Sequence, residues 1–400
     1  MQLHSKVENK GLKQLIVLTM ISTFSACDGT NHDDPSTTAD TNNRIELKQI
    51  VQQQGLTGNA ASGRVLPSIN DPIAQLGKKL FFSKALSGDQ DTACVTCHHP
   101  MLGGGDNLSL SIGVGSEVAD LLGRGRTHSP SAMHFDGGPT VPRNAPTTFN
   151  IGLWDKFMFH DGRVESLGKT SGVNGGDGLG IDTPDSLLGE ADAKAGANLV
   201  EAQARFPVTS QEEMRGFVFA AEHSNHDVRS ALEKRLSEIG YWDDEFIAAF
   251  GDANITFARI AQALADYERS QVFVASPFKA FVEGDDTALS PAAVRGALFF
   301  FKDQDQGGAN CASCHAGDFF TDEEHHVTAS PQIGRGKGSN NGITQNADFG
   351  RFMITNEQAD MYCFRTPSLL NVEVTGPWGH AGGTLLYLLL FAIPCILLKR

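Results

Sequence analysis

Apolar positions recur at helical spacing along much of the chain, and the alternating runs that mark strands are scarce. Phe257, Ile260, Leu264 and Tyr267 form one stripe, which predicts a core-packing helix that starts near Asn254. Asp227 to Ile239 reads as a second helix, capped at Asp227 and stopped by Gly240. Two further segments share a plan. Asp71-Pro72 and Ser290-Pro291 each supply an N-cap followed by Pro at the first helical position. A glycine follows at the same interval, Gly77 and Gly296, and each run ends in an aromatic cluster, Leu80-Phe81-Phe82 and Phe299-Phe300-Phe301. This matched order predicts a duplicated domain. Gly168 to Gly189 carries seven glycines in polar sequence and predicts a long loop.

The two ends differ from the middle. Lys6, Lys10 and Lys13 precede an apolar run, Leu15 to Phe24, that is too short to span a bilayer. Residues 1–26 therefore read as an export signal. Ser25 and Ala26 lead into Cys27 in the manner of a bacterial lipobox, with Phe24 where leucine is usual. That arrangement implies membrane anchoring through a lipidated Cys27. Residues 27–65 begin rich in Thr, Asp, Asn and Ser and predict a solvated tether. At the other end Leu385 to Leu398 is apolar and closes on Lys399-Arg400. Residues 384–400 thus form a divergent tail.

Composition adds exclusions. The 400 residues are 40% apolar and 20% charged, ordinary for a globular chain of two to three domains. A net charge of −15 gives no basic surface for nucleic acid. Seven cysteines are too few for a disulfide scaffold of this length. Cys363 and Cys395 sit outside any motif and read as buried or free thiols.

Four of the cysteines lie in two identical patterns. Cys94-Val95-Thr96-Cys97-His98 and Cys311-Ala312-Ser313-Cys314-His315 both read C-x-x-C-H. Two thiols one turn apart reach the two vinyl groups of one porphyrin, and the adjacent imidazole turns onto the iron. A Cys₄ zinc site or a redox C-x-x-C pair explains neither the histidine repeated twice nor a separation of over two hundred residues. The reading is two covalently bound c-type haems, on Cys94 and Cys97 and on Cys311 and Cys314, with His98 and His315 as proximal iron ligands. The fold class that follows is mainly α, with two tandem cytochrome c-like helical domains. Their expected limits are 66–275 and 276–383, the C-terminal one reading as truncated.

From about Leu66 to Gly382 the chain resembles the bacterial di-haem cytochrome c peroxidase family, which includes the MauG-like proteins. The resemblance rests on Arg143-Asn144-Ala145-Pro146-Thr147, on Phe159-His160-Asp161-Gly162-Arg163, and on Pro207-Val208 followed by Glu213-Met214. After the second haem motif it continues through Asp348-Phe349-Gly350-Arg351, Phe364-Arg365-Thr366-Pro367-Ser368-Leu369 and Val374-Thr375-Gly376-Pro377-Trp378. It implies an exported, periplasmic oxidoreductase that reduces hydrogen peroxide to water at the N-terminal haem. Electrons would enter at the C-terminal haem from a small donor protein, a cytochrome c or a cupredoxin. A MauG-like enzyme acting on protein side chains, or a haem-binding electron carrier, is the alternative.

The same resemblance implies residue roles. Glu213 matches the distal-pocket glutamate that moves a proton during peroxide cleavage. A calcium ion would be held by the Asn144 side chain and the carbonyls of Thr375 and Pro377. His134, or His128, is available as a distal ligand to the first iron. The family's tryptophan between the haems is replaced by His160, with Trp154 six residues earlier. The family's C-terminal ligand to the second iron would fall at Pro394, which offers no donor atom.

Overall fold

The computed structural model describes residues 35–335 and 347–384. The segment read as an export signal, Cys27, Cys395 and the tail from residue 385 lie outside the described residues. The chain is mainly helical: α1 (Pro35–Gln53), α2 (Pro72–Phe81), α3 (Cys94–Cys97), α4 (Leu199–Gln203), α5 (Asn225–Ser237), α6 (Tyr241–Phe250), α7 (Phe257–Arg269), α8 (Pro277–Val282), α9 (Pro291–Phe301) and α10 (Phe352–Thr355). Its strands are two or three residues long. β1 (Phe157–Met158), β2 (Val164–Ser166) and β3 (Ile181–Asp182) form an antiparallel sheet, and β4 (His325–His326) pairs with β5 (Phe364–Arg365). β3 lies inside the glycine-rich stretch predicted as loop.

The stripe predicted from periodicity is the α7 spine. Phe257, Ile260, Leu264 and Tyr267 are all buried. The helix starts at Thr256, whose side chain accepts from the Arg259 amide. The predicted Asp227 cap shifts to Ser224, and Asp227 becomes the third helical residue of a capping box. Helix α2 crosses α7 so closely at Gly77 that a Cβ there would fall 1.7 Å from the Ala263 carbonyl oxygen. Around this crossing sits a core of Leu76, Leu80, Phe81, Leu232, Leu236, Phe246 and Ile260. The matched glycine of α9, Gly296, faces open space. The two helices share the Pro start and the aromatic end, but the Ser290 side chain accepts from the Ala293 amide while Asp71 makes no side-chain capping bond, and the packing at the two glycines differs.

A second core gathers β1–β3 with Leu199, Val200, Phe206 and Trp154. A third joins Phe281, Leu289, Val294, Leu298 and Phe301 to Leu47, Val51 and Leu56. This corrects the predicted tether over 27–65. From Arg44 onward that segment is helix and packed arm, because its apolar residues cover the face left open by α8 and α9. Arg64 also forms a bidentate pair with Asp155 at 2.9 and 2.7 Å. Residues from Asn43 on form one compact unit, so compactness does not divide the two repeats at the predicted boundary near 275. Among the described residues, no helix is long and apolar enough to cross a membrane.

Candidate functional site

The two C-x-x-C-H motifs fold alike. Each begins a short helical turn, and the following loop brings a carbonyl onto the proximal imidazole. His98 Nδ1 lies 3.2 Å from Gly104 O, and His315 Nδ1 lies 3.1 Å from Phe320 O. A second carbonyl faces each ring, Pro146 at His98 and Pro367 at His315. Burial holds both imidazoles below the usual histidine range. A neutral ring that donates through Nδ1 keeps the Nε2 lone pair for a metal.

None of the four motif cysteines is in a disulfide. Burial pushes the Cys94 and Cys97 thiols well above their ordinary values. Two thiols within one short turn beside an oriented imidazole, repeated at both motifs, fit covalent haem attachment.

The likeness of the two sites extends well past the motifs. After Pro146 comes Thr147, whose hydroxyl donates to Gly103 O at 2.6 Å. After Pro367 comes Ser368, whose hydroxyl donates to Phe319 O at 2.6 Å. Each hydroxyl pins the residue just before the carbonyl that receives the imidazole. Three residues later stand Asn150 and Asn371, left-handed at φ 59° and 58°. Both donate through Nδ2 to one acceptor, Phe273 O, at 3.1 and 2.8 Å. The Asn144 amide donates to His380 O and the Arg365 amide donates to His160 O, each at 2.8 Å. Pro-Thr-x-x-Asn and Pro-Ser-x-x-Asn are thus equivalent segments, related across the boundary between the repeats. This signal was present in the sequence and was missed there.

Charged residues of the shared motifs meet at that boundary. Arg143 donates to Asp348 through Nε and Nη2 at 2.6 and 2.9 Å, and to Asp161 through Nη1 at 2.5 Å. Arg351 reaches the Asp161 and Gly162 carbonyls and pairs with Glu165 at 2.6 Å. The Arg143 and Arg163 guanidinium groups hold the Asp161 carboxyl well below the usual range despite burial. His160 Nε2 lies 3.1 Å from Asn144 O. Burial, reinforced by Arg143, pushes His160 down to about 3, so it is neutral. Trp154 is buried, packed edge-on against Phe319 with Arg365 over its ring.

Glu213 sits on a single π turn, Gln211–Arg215. Such turns recur at functional positions because they re-aim a side chain. This one is clamped from two sides. A Cβ on Gly88 would fall 1.8 Å from Arg215 O, and one on Gly113 would fall 2.1 Å from Glu212 O. Burial pushes the Glu213 carboxyl up, opposed by the Arg163 charge. Its charge lies within electrostatic range of both Cys94 and Cys97.

The other expected residues are less gathered. His134 is exposed and lies flat on Phe217, with ring centroids 3.3 Å apart. His128 is buried, with Nδ1 3.1 Å from Gly138 O. Asn144 donates through Nδ2 to the Leu108 and Ser109 carbonyls. Its amide bonds His380 O, three residues past Pro377. No hydrogen bond recorded among the described residues joins the Asn144 side chain to Thr375 or Pro377.

Comparisons with known proteins agree with this geometry. Cytochrome c551 peroxidase of Pseudomonas aeruginosa is 28% identical over 316 residues, covering 78% of this chain and 69% of that one. Methylamine utilization protein MauG of Methylorubrum extorquens is 29% identical over 344 residues, covering 83% and 73%. Among solved structures, a MauG-like protein associated with microbial copper homeostasis superposes with TM-score 0.53 at 22% identity, covering 81% of this chain and 77% of that one. The diheme peroxidase BthA from Burkholderia thailandensis gives TM-score 0.51 at 19% identity, covering 81% and 73%. These two superpositions speak for the fold. The family profile for di-haem cytochrome c peroxidase matches residues 71–287, and the chain is a member of that enzymatic, oxidoreductase family.

Proposed function

We propose that the chain is an exported peroxidase that reduces hydrogen peroxide to water with electrons from a small redox protein. The observation that supports this reading is the Glu213 turn, clamped between Gly88 and Gly113, with a partly buried carboxyl within electrostatic range of the first attachment site's thiols. Bound at Cys94 and Cys97 over His98, a c-type haem supplies the redox-active iron. The protein supplies the proton chemistry. Glu213 takes a proton from the near peroxide oxygen and delivers it to the far one, which leaves as water. Two electrons and two further protons complete the reduction to a second water. His98 and His315 orient their Nε2 atoms through the Gly104 and Phe320 carbonyls.

Electrons enter at the second site, on Cys311, Cys314 and His315, from a cytochrome c or cupredoxin. Trp154 and His160 lie on the route between the sites. A calcium ion at the Asn144 side chain and the Thr375 and Pro377 carbonyls belongs to this reading, as does His134 as a distal ligand of the first iron. So do a periplasmic location and anchoring through Cys27. The exposed position of His134 favours a second reading, a MauG-like enzyme with the first iron open, acting on protein side chains. Peroxide turnover with reduced cytochrome c or cupredoxin, measured on protein shown by intact mass to carry two haems, decides between them. Donor-linked turnover is expected. Two intact haems without it would overturn the peroxidase reading.

A further inference from the structure

Two buried nitrogens at the boundary between the repeats point to an unassigned anion site. His325 and Arg365 are direct partners in the β4–β5 ladder, so their side chains leave the ribbon on one face. His325 Nε2 and Arg365 Nη1 are both shut off from solvent, and neither makes a hydrogen bond. Other parts of each side chain are held in place. Arg365 Nε donates to Phe159 O at 3.1 Å, and its guanidinium lies 3.2 Å over the Trp154 ring. The His325 ring packs edge-on against Phe157, with centroids 4.7 Å apart. Gly162 abuts it so closely that a Cβ there would fall 2.6 Å from His325 Nε2.

The nearby carboxylates are already used. Glu323 accepts from the Asp155 and Lys156 amides. Asp161 is shared by Arg143 and Arg163. A buried guanidinium N–H takes an acceptor, and an anionic oxygen is the strongest one.

Neighbours of the pair connect it to the second attachment site. Thr366, beside Arg365, accepts from the Thr321 hydroxyl at 2.8 Å, and the Pro367 carbonyl faces His315. Trp154, under Arg365, touches Phe319 of the loop that follows the motif. A c-type haem brings two carboxylate side chains. We propose that Arg365 and His325 bind a carboxylate, and that it is a carboxylate side chain of the haem attached at Cys311 and Cys314. The first repeat has no such pair. Its equivalent of Arg365 is Asn144, whose Nδ2 is occupied by two backbone carbonyls. The inference rests on the two-haem reading. A cation held at the edge of a haem favours the reduced, less positive centre, so Arg365 raises the potential of the second haem.

The test is an optical redox titration of the haem-loaded protein, after intact mass has shown two haems. The wave missing from a Cys311→Ala/Cys314→Ala double variant identifies the second haem. Arg365→Gln is expected to shift that midpoint downward and leave the first in place. Arg365→Lys restores most of the shift, and His325→Phe gives a smaller change in the same direction. If Arg365→Gln fails to load haem, His325→Phe and Arg365→Lys carry the test. An unmoved second midpoint, or equal shifts in both, overturns the proposal. So does a wild-type midpoint that follows added acetate while Arg365→Gln does not, since that marks a free anion as the occupant. Fewer than two haems in the wild type refutes the underlying reading instead.

Discussion

The Arg365 backbone amide donates to His160 O at 2.8 Å, and its counterpart Asn144 donates to His380 O at the same distance. Two segments more than two hundred residues apart thereby exchange reciprocal bonds. Each presents its proline carbonyl to its own proximal imidazole. The orientation of each motif histidine is therefore tied to the contact between the repeats, and this contact is a target for mutation.

Arg143 is the centre of that contact. It is nine-tenths buried and neutralises Asp161 and Asp348 together. Arg143→Met leaves the buried Asp348 carboxylate without its cation and Asp161 with Arg163 alone. Breaking a buried pair in this way costs about 3–5 kcal/mol. Chemical denaturation of wild type and variant measures it, and a loss under about 1 kcal/mol would show that the network contributes little net stability.

The same network gives a pH dependence. The folded-state pKa of Asp161 is depressed by Arg143 and Arg163. Its unfolded value is about 3.9. A depressed carboxyl adds stability above the unfolded value and loses it as pH falls toward the folded one. The stability gap between wild type and Asp161→Asn is thus expected to be full at pH 7 and to shrink below about pH 4. A gap that widens on acidification contradicts the assignment.

The two matched glycines separate packing from propensity. Gly77→Ala drives a methyl into the Ala263 carbonyl at the α2–α7 crossing and destabilises the protein. Gly296→Ala meets nothing, on an exposed face of α9, and is expected to stabilise by about 0.5–1 kcal/mol. Thermal melts of the two single variants provide the check, and equal effects at both positions would contradict the asymmetry.

Glu213→Gln keeps the shape of the side chain and removes the proton carrier. Peroxide turnover is expected to fall by about 10²–10⁴-fold. Haem content and both optical spectra should stay as in the wild type. Unchanged turnover would remove Glu213 from the mechanism and return it to a structural role in the π turn.

The sequence alone was enough for the attachment chemistry. Cysteine spacing within a single turn, and the histidine beside it, are local constraints that a motif records completely. The caps of α2 and α9 and the apolar stripe of α7 are local in the same sense, since periodicity depends only on neighbours in the chain. The arm from Arg44 was read as tether because its polar start hid the few apolar residues that α8 and α9 need as a cover. Asp348 looked like one letter of a motif until the fold set it against Arg143, 205 residues away. His325 read as an unremarkable residue, and its pairing with Arg365 exists only because β4 and β5 meet. Which acceptor a donor finds, and which donor is left without one, follows from long-range contacts. Chain order does not encode them position by position, so only the tertiary structure decides them.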